Sequence, residues 1–100
     1  MANAVRGEVA LEIAGLVLLL RPSFQALVAA EAELGPLFQL VERAAAGGLT
    51  LAEMAGLMWH CVADPQGLDR VGFGEALVAG GLAQATPALR ALLGQILAGQ

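Results

Sequence analysis

The apolar positions of the first twenty residues alternate. Val5, Gly7, Val9, Leu11 and Ile13 share one face of an extended chain, and Arg6, Glu8, Ala10, Glu12 and Ala14 share the other. A period of two marks a half-buried strand with its charges on the wet face. Ala14-Gly15 offers a turn into Leu16-Val17-Leu18-Leu19-Leu20, which predicts a second strand antiparallel to the first. Tight hairpins favour Asn or Asp before the glycine, so Ala14 is a mediocre turn residue. The second strand is apolar on both faces. Val17 and Leu19 therefore need cover from a helix, a partner or a second copy, since a bare apolar edge invites aggregation. They are the candidate self-association residues.

From Pro22 onward the spacing is helical. Ser23 can cap a helix with the stripe Phe24, Leu27, Val28 and Leu34, stopped by Gly35-Pro36. Pro36 suits the first turn of a second helix that carries Leu37, Leu40, Val41 and Ala44 on one face, ended by Gly47-Gly48. Thr50-Leu51-Ala52-Glu53 fits a capping box, opening a third helix with Leu51, Met54, Leu57, Met58, Cys61 and Val62 before Asp64-Pro65. Asp69 can cap a fourth, with Phe73 and Leu77 one turn apart and Gly80-Gly81 behind it. Gly72 and Gly74 inside it each cost about 1 kcal/mol relative to Ala, marking close packing or a weak first turn. Thr86-Pro87 opens the last helix, whose stripe is Leu89, Leu92, Leu93, Ile96 and Leu97.

The expected fold is thus α+β and mostly helical: an N-terminal two-stranded antiparallel β-hairpin over about 5–20, then about five short helices over 22–98. One domain fills the 100 residues, because a second core would not fit. Ala and Leu occupy 40 positions and charged residues 14, so the chain has ample apolar surface to bury and is expected to fold. The five Arg are scattered, Lys is absent and the net charge is −4. Without clustered cations, nucleic acid is a poor partner. No run of roughly 20 apolar residues predicts a membrane span, and no basic region precedes an apolar one at the start. A lone Cys61 agrees with a soluble, cytoplasmic setting.

The inventory for catalysis is thin. His60 and Cys61 are helix neighbours whose side chains diverge by roughly 100°, which separates a base from its nucleophile. The bland placement is Cys61 in the core and His60 at its boundary. Two such ligands beside scattered acids make no zinc site. No phosphate loop exists without Lys, and Gly72-Phe73-Gly74 lacks both a third glycine and a preceding strand. Glu31 and Glu33 point in different directions on one helix. Glu31, near the apolar stripe, either pairs with an Arg or faces a partner. No enzyme activity, cofactor or metal is expected.

An interaction surface is more plausible. Met54, Met58 and Trp59 fall within two turns, and Met adapts to irregular partners while Trp anchors interfaces. With Phe38 they are the candidate partner-binding residues, against the alternative that the Met side chains fill the core and Trp59 covers its edge.

Three stretches carry a resemblance: Arg6-Gly7-Glu8-Val9-Ala10-Leu11, Leu20-Arg21-Pro22-Ser23-Phe24-Gln25-Ala26-Leu27, and Glu31-Ala32-Glu33-Leu34-Gly35. Together the sequence resembles the phage-like tail protein family of gene transfer agents, small proteins encoded just before the tape measure gene and also given a tail tube label. The likeness is densest over residues 5–35 and weaker through Thr50–Cys61. It implies a non-enzymatic tail assembly chaperone, in a gene transfer agent or prophage, that keeps the tape measure protein soluble while tail tube subunits polymerise around it. The alternatives are a structural tail tube component and a homodimeric interaction module. A net negative charge and adaptable apolar surface suit a masking role, by docking an apolar helix in a groove.

Overall fold

The computed structural model describes residues 7–98, so Val5 and Arg6 of the expected first strand lie outside the described residues. Strand β1 (Val9–Ile13) pairs antiparallel with β2 (Leu16–Leu20), with Leu11 opposite Leu18 and Glu12 opposite Val17. The turn places Ala14 at φ 53° and Gly15 at φ 72°, the two left-handed residues that the twist of a two-residue hairpin requires. Five helices follow: α1 (Phe24–Leu34), α2 (Leu37–Ala45), α3 (Leu51–Cys61), α4 (Arg70–Ala79) and α5 (Leu82–Ala98). The expected architecture is therefore the observed one.

The alternation of β1 holds over Val9, Leu11 and Ile13, all buried beneath α5. Glu8 departs from it. This carboxylate is buried, not on the wet face, and forms an ion pair with Arg21 at the end of β2. The guanidinium replaces part of the hydration that burial removes.

Core side chains come from every element: Leu11 and Leu18 from the hairpin, Ala30, Leu40, Leu57, Met58, Phe73, Leu77 and Leu92 from the helices. Each large one contributes about 1.5–3 kcal/mol by leaving water. The ring of Trp59 tilts against that of Phe73, centroids 5.5 Å apart.

The capping signals hold for three helices. Ser23 Oγ accepts from Ala26 N at 3.1 Å, Thr50 and Glu53 form the reciprocal box, and Asp69 Oδ1 accepts from Gly72 N at 2.7 Å. Gly72 has a local reason: a Cβ there would lie 3.0 Å from that same Asp69 oxygen.

Several expectations need correction. In α1 the stripe is rotated: Phe24 and Val28 face solvent, while Ala26, Leu27, Ala30 and Leu34 pack inward. Close approach of α3 favours small residues, and Gly56 of α3 sits where a Cβ would meet Leu34 at 3.3 Å. Pro36 precedes α2 as its cap residue, not as its first helical one, and Glu31 Oε2 accepts the Leu37 N–H at 2.9 Å. Glu31 thus serves a helix end and, among the described residues, pairs with no Arg. Finally, α5 starts at Leu82, so Pro87 lies inside it rather than opening it. Ala85 is the reason. With Ala88 and Leu92 it forms the buried face, and only helix before Pro87 delivers it to the core. Thr86 Oγ1 donates to Leu82 O at 3.1 Å. Leu97, expected on the stripe, is exposed.

Beyond α3 the chain runs along the outer edge of β2. Val62 bridges Leu20, Ala63 N donates to Leu19 O at 2.9 Å, and Gln66 Nε2 donates to Val17 O at 2.9 Å. Leu19 is thereby half-buried, whereas Val17 keeps half of its surface exposed. Among the described residues no single helix is long and apolar enough to cross a membrane.

Candidate partner-binding site

The α3–α4 pair buries one face and leaves the other open. Phe73 and Leu77 of α4 point into the core. Val71, Gly74, Glu75 and Val78 follow the i, i+3, i+4, i+7 spacing and form a second stripe on the same helix. Across from it stand Leu51, Ala52 and Ala55 of α3. Together with Ala79 these residues line an open cleft of about 750 Å³. Val71 is 69% exposed, Val78 54% and Leu51 45%, high values for aliphatic side chains. Small residues at Ala52, Ala55 and Gly74 keep the lining low; a Cβ at Gly74 would meet nothing within 4 Å. Glu75 is the one charged residue in the lining. Leu51 also borders a neighbouring hollow with Leu49, Leu82 and Leu89, which extends the apolar surface toward α5.

The walls are fixed from below and at one end. Arg70, the first residue of α4, reaches Glu33 of α1 with both terminal guanidinium nitrogens, Nη1 lying 2.7 Å from Oε1. His60 Nε2 of α3 meets the same Glu33 oxygen at 2.7 Å. One carboxylate thus joins three helices. Its pKa is lowered to about 2, first by the hydrogen bond from Arg70 and then by that from His60. At the other end of α3, Glu53 is held near 2 by Arg43 of α2 and by the Thr50 backbone.

None of the sequence-predicted residues lines the main cleft. Met58 is fully buried and Met54 nearly so, and both belong to the core. This corrects the assignment of Met58 to a partner surface, since a side chain without accessible area cannot meet a partner while the domain stays folded; Met54, 9% exposed, lines the hollow beside Leu51. Both methionines belong to the core cluster, where an unbranched side chain fits irregular gaps. Trp59 is half-buried against Phe73. Phe38 on α2 is 77% exposed and lines none of the clefts formed by α3 and α4. The real groove residues, Val71 and Val78, carried a readable signal in their seven-residue spacing.

Cys61 is buried, and burial pushes its thiol up to about 12, which leaves it protonated at neutral pH. His60 and Cys61 diverge as helix neighbours must, one to Glu33 and one to the core. Among the described residues no three His, Cys, Asp or Glu side chains gather as metal ligands. The arrangement offers shape and apolar area.

No curated protein and no solved structure matches the chain. A protein-family model does: the one described as phage tail tube protein, GTA-gp10, matches residues 6–99, nearly the whole sequence. The hairpin, the five helices and the groove between α3 and α4 all lie within that span, and the chain belongs to the phage tail tube protein, GTA-gp10 family of gene transfer agent and phage tail proteins.

Proposed function

We propose that this tail protein is a non-enzymatic assembly chaperone acting in the bacterial cytoplasm, which holds an apolar helical segment of the tape measure protein until tail tube subunits enclose it. The observation that carries this reading is the α3–α4 groove, where Leu51, Val71 and Val78 stand exposed on a domain of only 100 residues. A tape measure helix exposes an apolar stripe before assembly, and a groove with a low floor accepts such a stripe with few steric demands. Glu75 selects the partner by charge: it favours a helix with a basic residue beside its apolar stripe. The remaining negative charge keeps the complex soluble.

The experiment is co-expression with the tape measure protein encoded beside this chain. The chaperone reading expects tape measure in the soluble fraction only when this chain is present, and copurifying with it. Tape measure that is equally soluble without the chain contradicts it.

A second reading, a structural component of the tail tube, is favoured by the description of the family itself. Against it stands the scarcity of sheet among the described residues, two strands of five residues each, for a ring built on strand contacts. Protein analysis of purified particles separates the two, because a tube component is present in stoichiometric rings and a chaperone is not.

A further inference from the structure

The hairpin has two outer edges, and they are treated differently. In a two-residue hairpin the residues flanking the turn, Ile13 and Leu16, exchange hydrogen bonds, and the exchange recurs at every second pair. The backbone groups of Val17 and Leu19 therefore point to the outer edge of β2. There Gln66 Nε2 and Ala63 N donate to their carbonyls, and Arg21 N donates to Cys61 O at 2.7 Å. The segment from Cys61 to Gln66 thus lies along that edge and occupies its carbonyls. By the same alternation the N–H and C=O groups of Ala10 and Glu12 point outward from β1, and no described residue bonds them. Four backbone groups stand ready to extend the sheet.

A furrow runs along this open edge. One hollow of about 390 Å³ is lined by Ala10, Leu11, Glu12, Gln84, Pro87 and Ala88. A second, of about 300 Å³, shares Glu12 and Gln84 with the first and continues to the turn at Ala14-Gly15. The first turns of α5 thus form its outer bank. The Glu12 carboxylate stands at the middle of the edge and makes no ion pair with a described residue.

The geometry points to strand addition at β1 by an extended segment of another protein that carries a basic residue opposite Glu12. Residues directly opposite Ala10 and Glu12 fall on the solvent face of the sheet, where opposite charges attract. The residue between them, opposite Leu11, faces α5 at Pro87 and Ala88 and must be small. A second copy of this chain is the poorer occupant. Antiparallel β1–β1 pairing centred on Leu11 sets the two Glu12 carboxylates on a diagonal of roughly 7–8 Å on one face, and like charges at that spacing repel. This edge lies away from the α3–α4 groove, and the proposal is independent of what the groove binds.

The test uses the full chain, isotope-labelled, and two capped pentapeptides, Thr-Lys-Ala-Val-Thr and its Glu-for-Lys counterpart, followed by amide NMR shifts. The Lys peptide is expected to shift the amides of Ala10 and Glu12 and to slow their exchange. The Glu peptide should bind about fivefold more weakly or worse. Glu12→Lys should reverse that preference. Ala10→Pro removes an outward N–H without touching the β1–β2 ladder, and should abolish the shifts while Trp59 fluorescence reports an intact fold. The proposal is overturned by equal binding of both peptides, by shifts confined to α3 and α4, or by no shifts at all. It is likewise overturned, in favour of self-pairing, if the edge amides shift with protein concentration alone.

Discussion

Glu33 and Arg70 stand 37 residues apart in sequence and meet as a two-point ion pair, Arg70 Nη1 lying 2.7 Å from Glu33 Oε1. The pair fastens the start of α4 to α1, and His60 adds α3 to the same carboxylate. It fixes the end of the groove at which α4 begins.

Removing this clamp is expected to cost little stability, because Glu33 is 37% exposed and water screens the pair. Arg70→Met should lower unfolding free energy by about 1 kcal/mol or less, read by urea titration of Trp59 fluorescence. The pH dependence has a definite sign. The Glu33 carboxyl is lowered to about 2 in the folded chain from an ordinary value of 4.5. Its contribution is therefore full above about 4.5 and is lost as pH falls from there to about 2. Glu33→Gln should flatten that part of the stability curve.

Met58 and Phe38 give a direct contrast between packing and surface. Met58→Ala is expected to destabilise by about 2–5 kcal/mol, since the side chain is fully buried. Phe38→Ala should stay within about 0.5 kcal/mol, because that ring is exposed. Chemical denaturation of the two variants checks both.

Ala14 pays for its place in the hairpin turn, with φ at 53°. Asn tolerates this conformation far better. Ala14→Asn should raise stability by about 0.5–1 kcal/mol, measured as an upward shift in thermal midpoint.

Pro87 tests where α5 begins. As its sixth residue it removes one helical hydrogen bond, so Pro87→Ala should stabilise the chain by about 1–3 kcal/mol. Were the helix to open at Pro87, the substitution would be close to neutral.

Most of the fold was legible because local signals agreed with one another. Alternation over Val9–Ile13, the Thr50–Glu53 box and the Asp69 cap each name an element without reference to the rest of the chain. What escaped depends on tertiary partners. An alanine-rich helix such as α1 can bury either of two faces, and the approach of α3 at Gly56 chose Ala26, Ala30 and Leu34 over Phe24 and Val28. Thr86-Pro87 is a valid start signal that the burial of Ala85 overrode. The exposed apolar cleft is hard to read for a related reason. Met and Trp draw notice by type, yet Met58 is fully buried and Trp59 half-buried, while plain valines at 71 and 78 stand exposed. The Glu33–His60–Arg70 cluster joins residues from three helices, and no sequence period marks it.

The groove is tested most directly by the amount of tape measure protein that copurifies with Val78→Asp, beside Phe38→Asp as a control on an exposed site outside it. Both substitutions fall on solvent-facing positions and should leave the thermal midpoint nearly unchanged. Val78→Asp is expected to reduce the captured tape measure about tenfold or more, with Phe38→Asp matching the unaltered chain. A folded Val78→Asp variant that captures as much as the unaltered chain would show that the groove between α3 and α4 is not where the partner binds.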